Sequence, residues 1–372
     1  MKLTCDRGAL VESLSLVNTV IAARTPKPVL RCIKLTATTD GSGLLLAATD
    51  LEAAVQITCS RVEVQESGEA LIPAEKFVQI ARESLDSTLS LEIDQDVAHV
   101  RAADSYFKVF GSAVQDFPPC PALDGEPDFQ LRAGELVKLV TQTLFATARE
   151  SSRYAINGVL LERNGKKLSM IATDGRRLAL AKGQCKSTGR GGGASRCSAI
   201  VPTKALNVAL RVFQDPEQTV HIRMVDNQIL FVSDHAFVGS RLVEGRFPPY
   251  QDVIPRDADR KATLSTETLA SAVRRAALLT NEESRGVRMA FGAEGLKITS
   301  QAPEMGEAEI DVELCEYSGD PVEVGFNPQF ITDALRVADA ETITLELKGP
   351  NKPGTLRAGT KFLCVVMPVN LQ

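Results

Sequence analysis

The sequence predicts an α+β chain of three repeats, each with two helices packed on antiparallel sheets. Three recurrences carry that prediction. A short apolar strand stops at a helix start at Leu71-Ile72-Pro73, at Ile200-Val201-Pro202 and at Val324-Gly325-Phe326-Asn327-Pro328. Pro73, Pro202 and Asn327 lie 129 and 125 residues apart, close to a third of the 372-residue chain. Each of these helices is followed by three alternating segments and a closing proline, and each is preceded by another amphipathic helix.

Proline suits a first helical turn, where its missing N–H costs no hydrogen bond, and Asn327 is a good N-cap. The helices that follow are AEKFVQIARES, TKALNVALRVF and QFITDALRVAD. Next come TLSLEID, VAHVRA and YFKVFG, closing at Phe117-Pro118; TVHIRMV, QILFVS and AFVGSRLV, closing at Phe247-Pro248; and TITLELK, GTLRAG and KFLCVVM, closing at Met367-Pro368. Period-two alternation between polar turns indicates antiparallel strands. The upstream helices span 8–22, 134–148 and 266–280, and strands such as CIKLTATTD with GLLLAATD or GVLLERN with LSMIATD follow the first two. The domains are therefore expected at 1–125, 126–255 and 256–372, with linkers at 116–128 and 253–261.

Composition narrows the function. Forty-two Lys plus Arg against 47 Asp plus Glu leave a net charge of −5, unlike a simple DNA-coating protein. With no Trp and four Tyr, a stacking platform for single strands is poorly supplied. No apolar run approaches the ~20 residues of a membrane span, and Met1–Arg7 has no signal-peptide pattern, so a cytoplasmic location is expected. Eight cysteines without any CxxC read as reduced structural thiols, Cys364 as a small buried hydrophobe. Charge is also unevenly spread: six helical windows totalling 100 residues carry +4 and the other 272 carry −9. If the helices share a face, duplex DNA is attracted there without a basic protein overall.

Catalytic motifs are weak. Gly189-Arg190-Gly191-Gly192-Gly193-Ala194 fits a dinucleotide fingerprint but lacks the preceding strand and following helix, so it reads as a loop. No GxxxxGK[ST] appears. His99, His221 and His235 lie in strand-like segments with no HExxH or GxSxG, and the acidic pairs Asp257/Asp259 and Glu307/Glu309 read as solvated faces. No enzyme, cofactor or metal site is expected.

The chain resembles the bacterial sliding clamps, the beta subunits of DNA polymerase III. The resemblance rests on Thr49-Asp50-Leu51-Glu52, IPAEKF (72–77), Arg153-Tyr154 with Asn157-Gly158, ATDGRRLA (172–179), LVEGRFPPY (242–250), NEESRGVR (281–288) and VVMP (365–368), and it covers essentially the whole sequence. It implies three clamp domains per subunit and a homodimer paired head to tail into a closed ring, with helices lining the hole. Implied dimer contacts are Lys76, Ile80 and Phe107 with Leu278 and Leu279; implied DNA contacts are Arg24, Arg149, Lys204, Arg211 and Arg275.

The resemblance also implies a partner-peptide cleft between the second and third domains. Its residues would be Arg153, Ile156, Thr173, Gly175, Arg176, Arg177, Leu178, Pro248, Val253, Val365, Met367 and Pro368. Partners would be double-stranded DNA bound without sequence preference, a clamp loader, the replicative polymerase alpha subunit, repair polymerases, ligase and mismatch-repair proteins. A specialised second clamp copy, a scaffold that never encircles DNA and an enzyme using the histidines are the rival readings.

Overall fold

The computed structural model describes residues 1–22, 24–121, 125–148, 155–188, 196–280 and 286–370. Six α-helices occur among them: α1 (Arg7–Val17), α2 (Ala74–Glu83), α3 (Ala133–Leu144), α4 (Thr203–Val212), α5 (Thr266–Ala276) and α6 (Pro328–Val337). Each follows directly on a strand. For α2, α4 and α6 the strands are Gly68–Pro73, Arg196–Pro202 and Val322–Phe326, the junctions expected from sequence. The strands Lys2–Asp6, Phe129–Arg132 and Arg260–Ser265 before α1, α3 and α5 were not expected, because their few apolar residues merge with the helical pattern behind them.

The helix starts are capped by local chemistry. Asp6 accepts from the Ala9 N–H at 2.8 Å, Asn327 from Gln329 at 2.9 Å and Ser265 from Thr268 at 3.3 Å. Pro328 is the first residue of α6, as expected, but Pro73 and Pro202 end their strands, pairing with Cys32 and Gly158. A fixed φ near −65° serves either role, and Pro73 sits at φ −55°. α1 stops at Val17 and α5 at Ala276, short of the expected 22 and 280. The nine alternating segments downstream all form strands, from Thr88–Asp94 to Phe362–Val366.

The chain divides into two compact units. The first comprises 1–137, 186–192 and 204–242, and holds a five-stranded and a nine-stranded sheet. In the larger sheet Ala53–Cys59 pairs antiparallel with Ala236–Arg241, joining strands far apart in sequence. The second unit comprises 138–185, 193–203 and 243–372, with a nine-stranded and a four-stranded sheet. There Arg177–Gln184 pairs antiparallel with Phe362–Val366. Helices pack one apolar face inward: Phe77, Val78 and Ala81 on α2, and Leu206, Ala209 and Val212 on α4. No disulfide joins any of the eight cysteines, all of which lie among the described residues; burial pushes the Cys364 thiol up to about 12.

Candidate binding groove and charged surfaces

The site begins with a tight turn between strands Lys167–Thr173 and Arg177–Gln184. Thr173 Oγ1 donates to the Arg177 carbonyl at 2.7 Å and accepts from the Gly175 N–H at 3.1 Å. Asp174 Oδ1 accepts from the N–H groups of Arg176 and Arg177 at 2.9 and 3.0 Å. Gly175 takes φ +85°, the left-handed region that disfavours a Cβ. The first unit contains the same turn at Thr49–Ala53, with Thr49 Oγ1 donating to the Ala53 carbonyl and Asp50 Oδ1 accepting from Glu52 and Ala53. Leu51 there holds φ +78° in place of glycine.

Beside the Gly175 turn, the second unit opens a groove of about 210 Å³. Ile156, Thr173, Gly175, Arg177, Leu178, Pro248, Tyr250, Val253, Val365 and Met367 line it. Leu178 and Val365 are opposite one another on paired strands, so the antiparallel register sets two apolar walls side by side. Met367 donates its N–H to the Arg176 carbonyl at 2.9 Å, carrying the ladder to the rim. Val253 and Met367 leave large parts of their side chains open to solvent. The volume is below the roughly 300–1,000 Å³ of a drug-sized site and suits individual apolar anchors.

Nine of the twelve residues implied for the cleft thus come together. Arg176 is exposed and Pro368 half-buried, and neither lines the groove. Arg153 lies outside the described residues, as does the Gly-rich stretch 189–194. Tyr250 was missed, although it closes the Phe247-Pro248-Pro249-Tyr250 run. Its hydroxyl donates to Glu162 Oε2 at 2.6 Å, and Phe247 meets its ring edge-on at 6.5 Å. Burial, reinforced by Glu162, raises the Tyr250 phenol above its ordinary value.

Arg177 is one of the residues implied for the cleft, and its guanidinium is engaged within the chain. Nε donates to Asp174 Oδ2 at 3.0 Å, Nη1 to Asp333 Oδ2 at 2.7 Å and Nη2 to the Phe145 carbonyl at 2.7 Å. The Phe330 and Phe145 rings stack on it at 4.6 and 5.2 Å. Arg177 therefore forms a fixed wall of the groove.

The cations implied for DNA are differently placed. Arg24, Arg211 and Arg275 are exposed, Arg211 and Arg275 at the last turns of α4 and α5. None of the three makes an ion pair among the described residues. Lys204 on α4 is paired with Asp50, whose side chain is only 12% exposed. Arg149 lies outside the described residues.

The residues implied for the dimer form two patches. In the first unit α2, which carries Lys76 and Ile80, packs beside the strand Tyr106–Phe110, which carries Phe107. That strand is an edge of its sheet, and Tyr106, Phe107 and Phe110 are all exposed. Arg101 lies over the Tyr106 ring at 4.5 Å and Lys108 over Phe110 at 5.5 Å. His99 Nδ1 shares a 2.6 Å hydrogen bond with the Tyr106 hydroxyl, while His221 and His235 stand elsewhere. In the second unit, Leu278 and Leu279 occupy the turn after α5, which lies beside the edge strand Gly306–Val312, and Leu278 is exposed. Glu307, Glu309 and Asp311 alternate along that strand's solvent side.

The repeats, the paired sheets and the groove define a three-domain clamp subunit. Family profiles described as the N-terminal, central and C-terminal domains of DNA polymerase III beta subunit match residues 1–122, 130–249 and 251–370. The chain belongs to this family, the bacterial beta sliding clamps of DNA replication. It is 34% identical to the beta sliding clamp of Pseudomonas putida and 32% identical to that of Escherichia coli, with 100% of both chains covered in each case. Among solved structures, it resembles the DNA polymerase III subunit beta of Pseudomonas aeruginosa at 31% identity and TM-score 0.90. The Bacillus subtilis DNA polymerase sliding clamp matches at 25% identity and TM-score 0.93; both matches cover 100% of each chain. No helix among the described residues is long and apolar enough to cross a membrane.

Proposed function

We propose that this chain forms a homodimeric ring that encircles duplex DNA and tethers the replicative polymerase to it, without catalytic activity of its own. Phosphate contacts position a protein on DNA but carry no base information, so sparse cations attract duplex without fixing a register. Retention then comes from topology. Arg24, Arg149, Arg211 and Arg275 serve as bore contacts, with Lys204 moderated by Asp50.

The observation that carries the partner-docking half of the reading is the groove walled by Leu178, Val365 and Arg177. It suits a short segment bearing a leucine and an aromatic, each contributing roughly 1.5–3 kcal/mol on burial. The alpha subunit of the polymerase, repair polymerases, ligase and mismatch-repair proteins compete for it. An ATP-dependent clamp loader opens the ring, which works in the cytoplasm on the nucleoid.

Ring closure is supported by two complementary edges. Tyr106–Phe110 offers unpaired backbone groups with Arg101, Lys108 and exposed aromatics; Gly306–Val312 offers the same with Glu307, Glu309 and Asp311. A heterologous contact of one edge with the other, made twice, closes two copies into a ring.

The test is retention on nicked circular DNA after incubation with a clamp loader and ATP, repeated after the circle is cut. Loss on cutting establishes encirclement. Retention unchanged by cutting refutes it in favour of surface binding.

A further inference from the structure

We infer that Asp333, a carboxylate inside α6, is a positioning residue of the peptide groove and acts through Arg177; the inference rests on the groove reading above. Asp333 is 8% exposed on a helix face otherwise formed by Pro328, Ile331, Ala334 and Leu335. Its Oδ2 accepts from Arg177 Nη1 at 2.7 Å, while Oδ1 accepts from Gln329 Nε2 at 2.8 Å and Arg336 Nη2 at 3.2 Å. The carboxylate is thus held from its own helix and presents one oxygen to Arg177. With Asp174 and the Phe145 carbonyl it takes up donors at all three guanidinium nitrogens.

The first unit supplies an internal comparison. Its Thr49–Ala53 turn matches Thr173–Arg177 bond for bond, so Ala53 stands where Arg177 stands. Aligning Pro202 with Asn327 sets Val208 of α4 opposite Asp333 of α6. Both members of the ion pair are therefore replaced together by apolar residues within the first unit. A buried ion pair is often no more stabilising than such an apolar pair. Stability alone gives no reason to keep Arg177 and Asp333, whereas a groove wall that must not turn its charge toward an apolar ligand does. Removing Asp333 leaves Nη1 without its carboxylate. Only Asp174, the Phe145 carbonyl and the two rings then restrain the guanidinium, and one edge of it is free to turn toward the groove.

The test is a double-mutant cycle on the full chain, read by fluorescence anisotropy of a labelled hexapeptide containing two leucines and a phenylalanine. Asp333→Asn is expected to weaken the peptide about tenfold in the Arg177 background and less than about twofold in the Arg177→Ala background. Equal weakening in both backgrounds, or no weakening in either, overturns the inference. If wild type does not bind the peptide, the groove reading itself fails and the inference falls with it, which separates the two failures. Should Asp333→Asn not fold, Phe330→Leu removes the ring stacked on the same guanidinium; the same background dependence is then expected, and its absence is equally decisive.

Discussion

Tyr250 donates its hydroxyl to Glu162 at 2.6 Å, fastening the loop that closes the groove to the strand Gly158–Asn164. The phenol is raised above its ordinary value of 10.0, first by burial and then by this carboxylate. Its stabilising contribution is complete below the unfolded value and fades as pH rises beyond it toward the folded value. Tyr250→Phe should flatten the loss of stability above about pH 10, measured by urea unfolding at successive pH values. At neutral pH the same change should cost about 1–2 kcal/mol, since Glu162 loses its donor.

Gly175 has nothing within 4 Å of where a Cβ would stand, so substitution there tests conformation alone. Gly175→Ala should destabilise the fold by about 1–2 kcal/mol through its φ of +85°. The measurement is the denaturation midpoint at unchanged slope. Leu51→Gly, at the equivalent turn, should cost far less than an ordinary Leu→Gly change, because it relieves a left-handed leucine.

Asp50 neutralises Lys204 while its other oxygen serves the turn through Glu52 and Ala53. Asp50→Asn keeps an oxygen for those two N–H groups and frees the ammonium. The log–log slope of DNA affinity against salt should then steepen by about one unit, and Lys204→Ala in the same background should reverse it.

The two edge strands predict a charge-swap experiment. Lys108→Glu should weaken self-association about tenfold or more at low salt by opposing Glu307, Glu309 and Asp311 of another copy. Adding Glu307→Lys should recover part of the loss. Sedimentation equilibrium at two ionic strengths reads both effects, and the difference should shrink at high salt.

Much of this architecture was legible in the sequence because it is written in local periodicity. Three strand-to-helix junctions at near-equal spacing, and nine alternating segments behind them, report backbone states that each segment adopts on its own pattern. The strands Lys2–Asp6, Phe129–Arg132 and Arg260–Ser265 were hidden because a short strand running into an amphipathic helix has too few residues to show its own period. Seven groove residues, Thr173, Gly175, Arg177, Leu178, Pro248, Val365 and Met367, stand in the family motifs. Tyr250 ends one of them as well, but an aromatic after two prolines looks like any turn residue until its burial against Glu162 is seen.

Only the tertiary structure decided which strands from distant parts of the chain pair, as Ala53–Cys59 does with Ala236–Arg241. It also decided what the charges do. In sequence Arg177 and Lys204 are two cations of equal standing. In the fold Arg177 is spent on Asp174, Asp333 and Phe145, and Lys204 on Asp50. Sequence specifies a side chain's charge and reach, but its partner is set by which backbone the fold brings within about 3 Å.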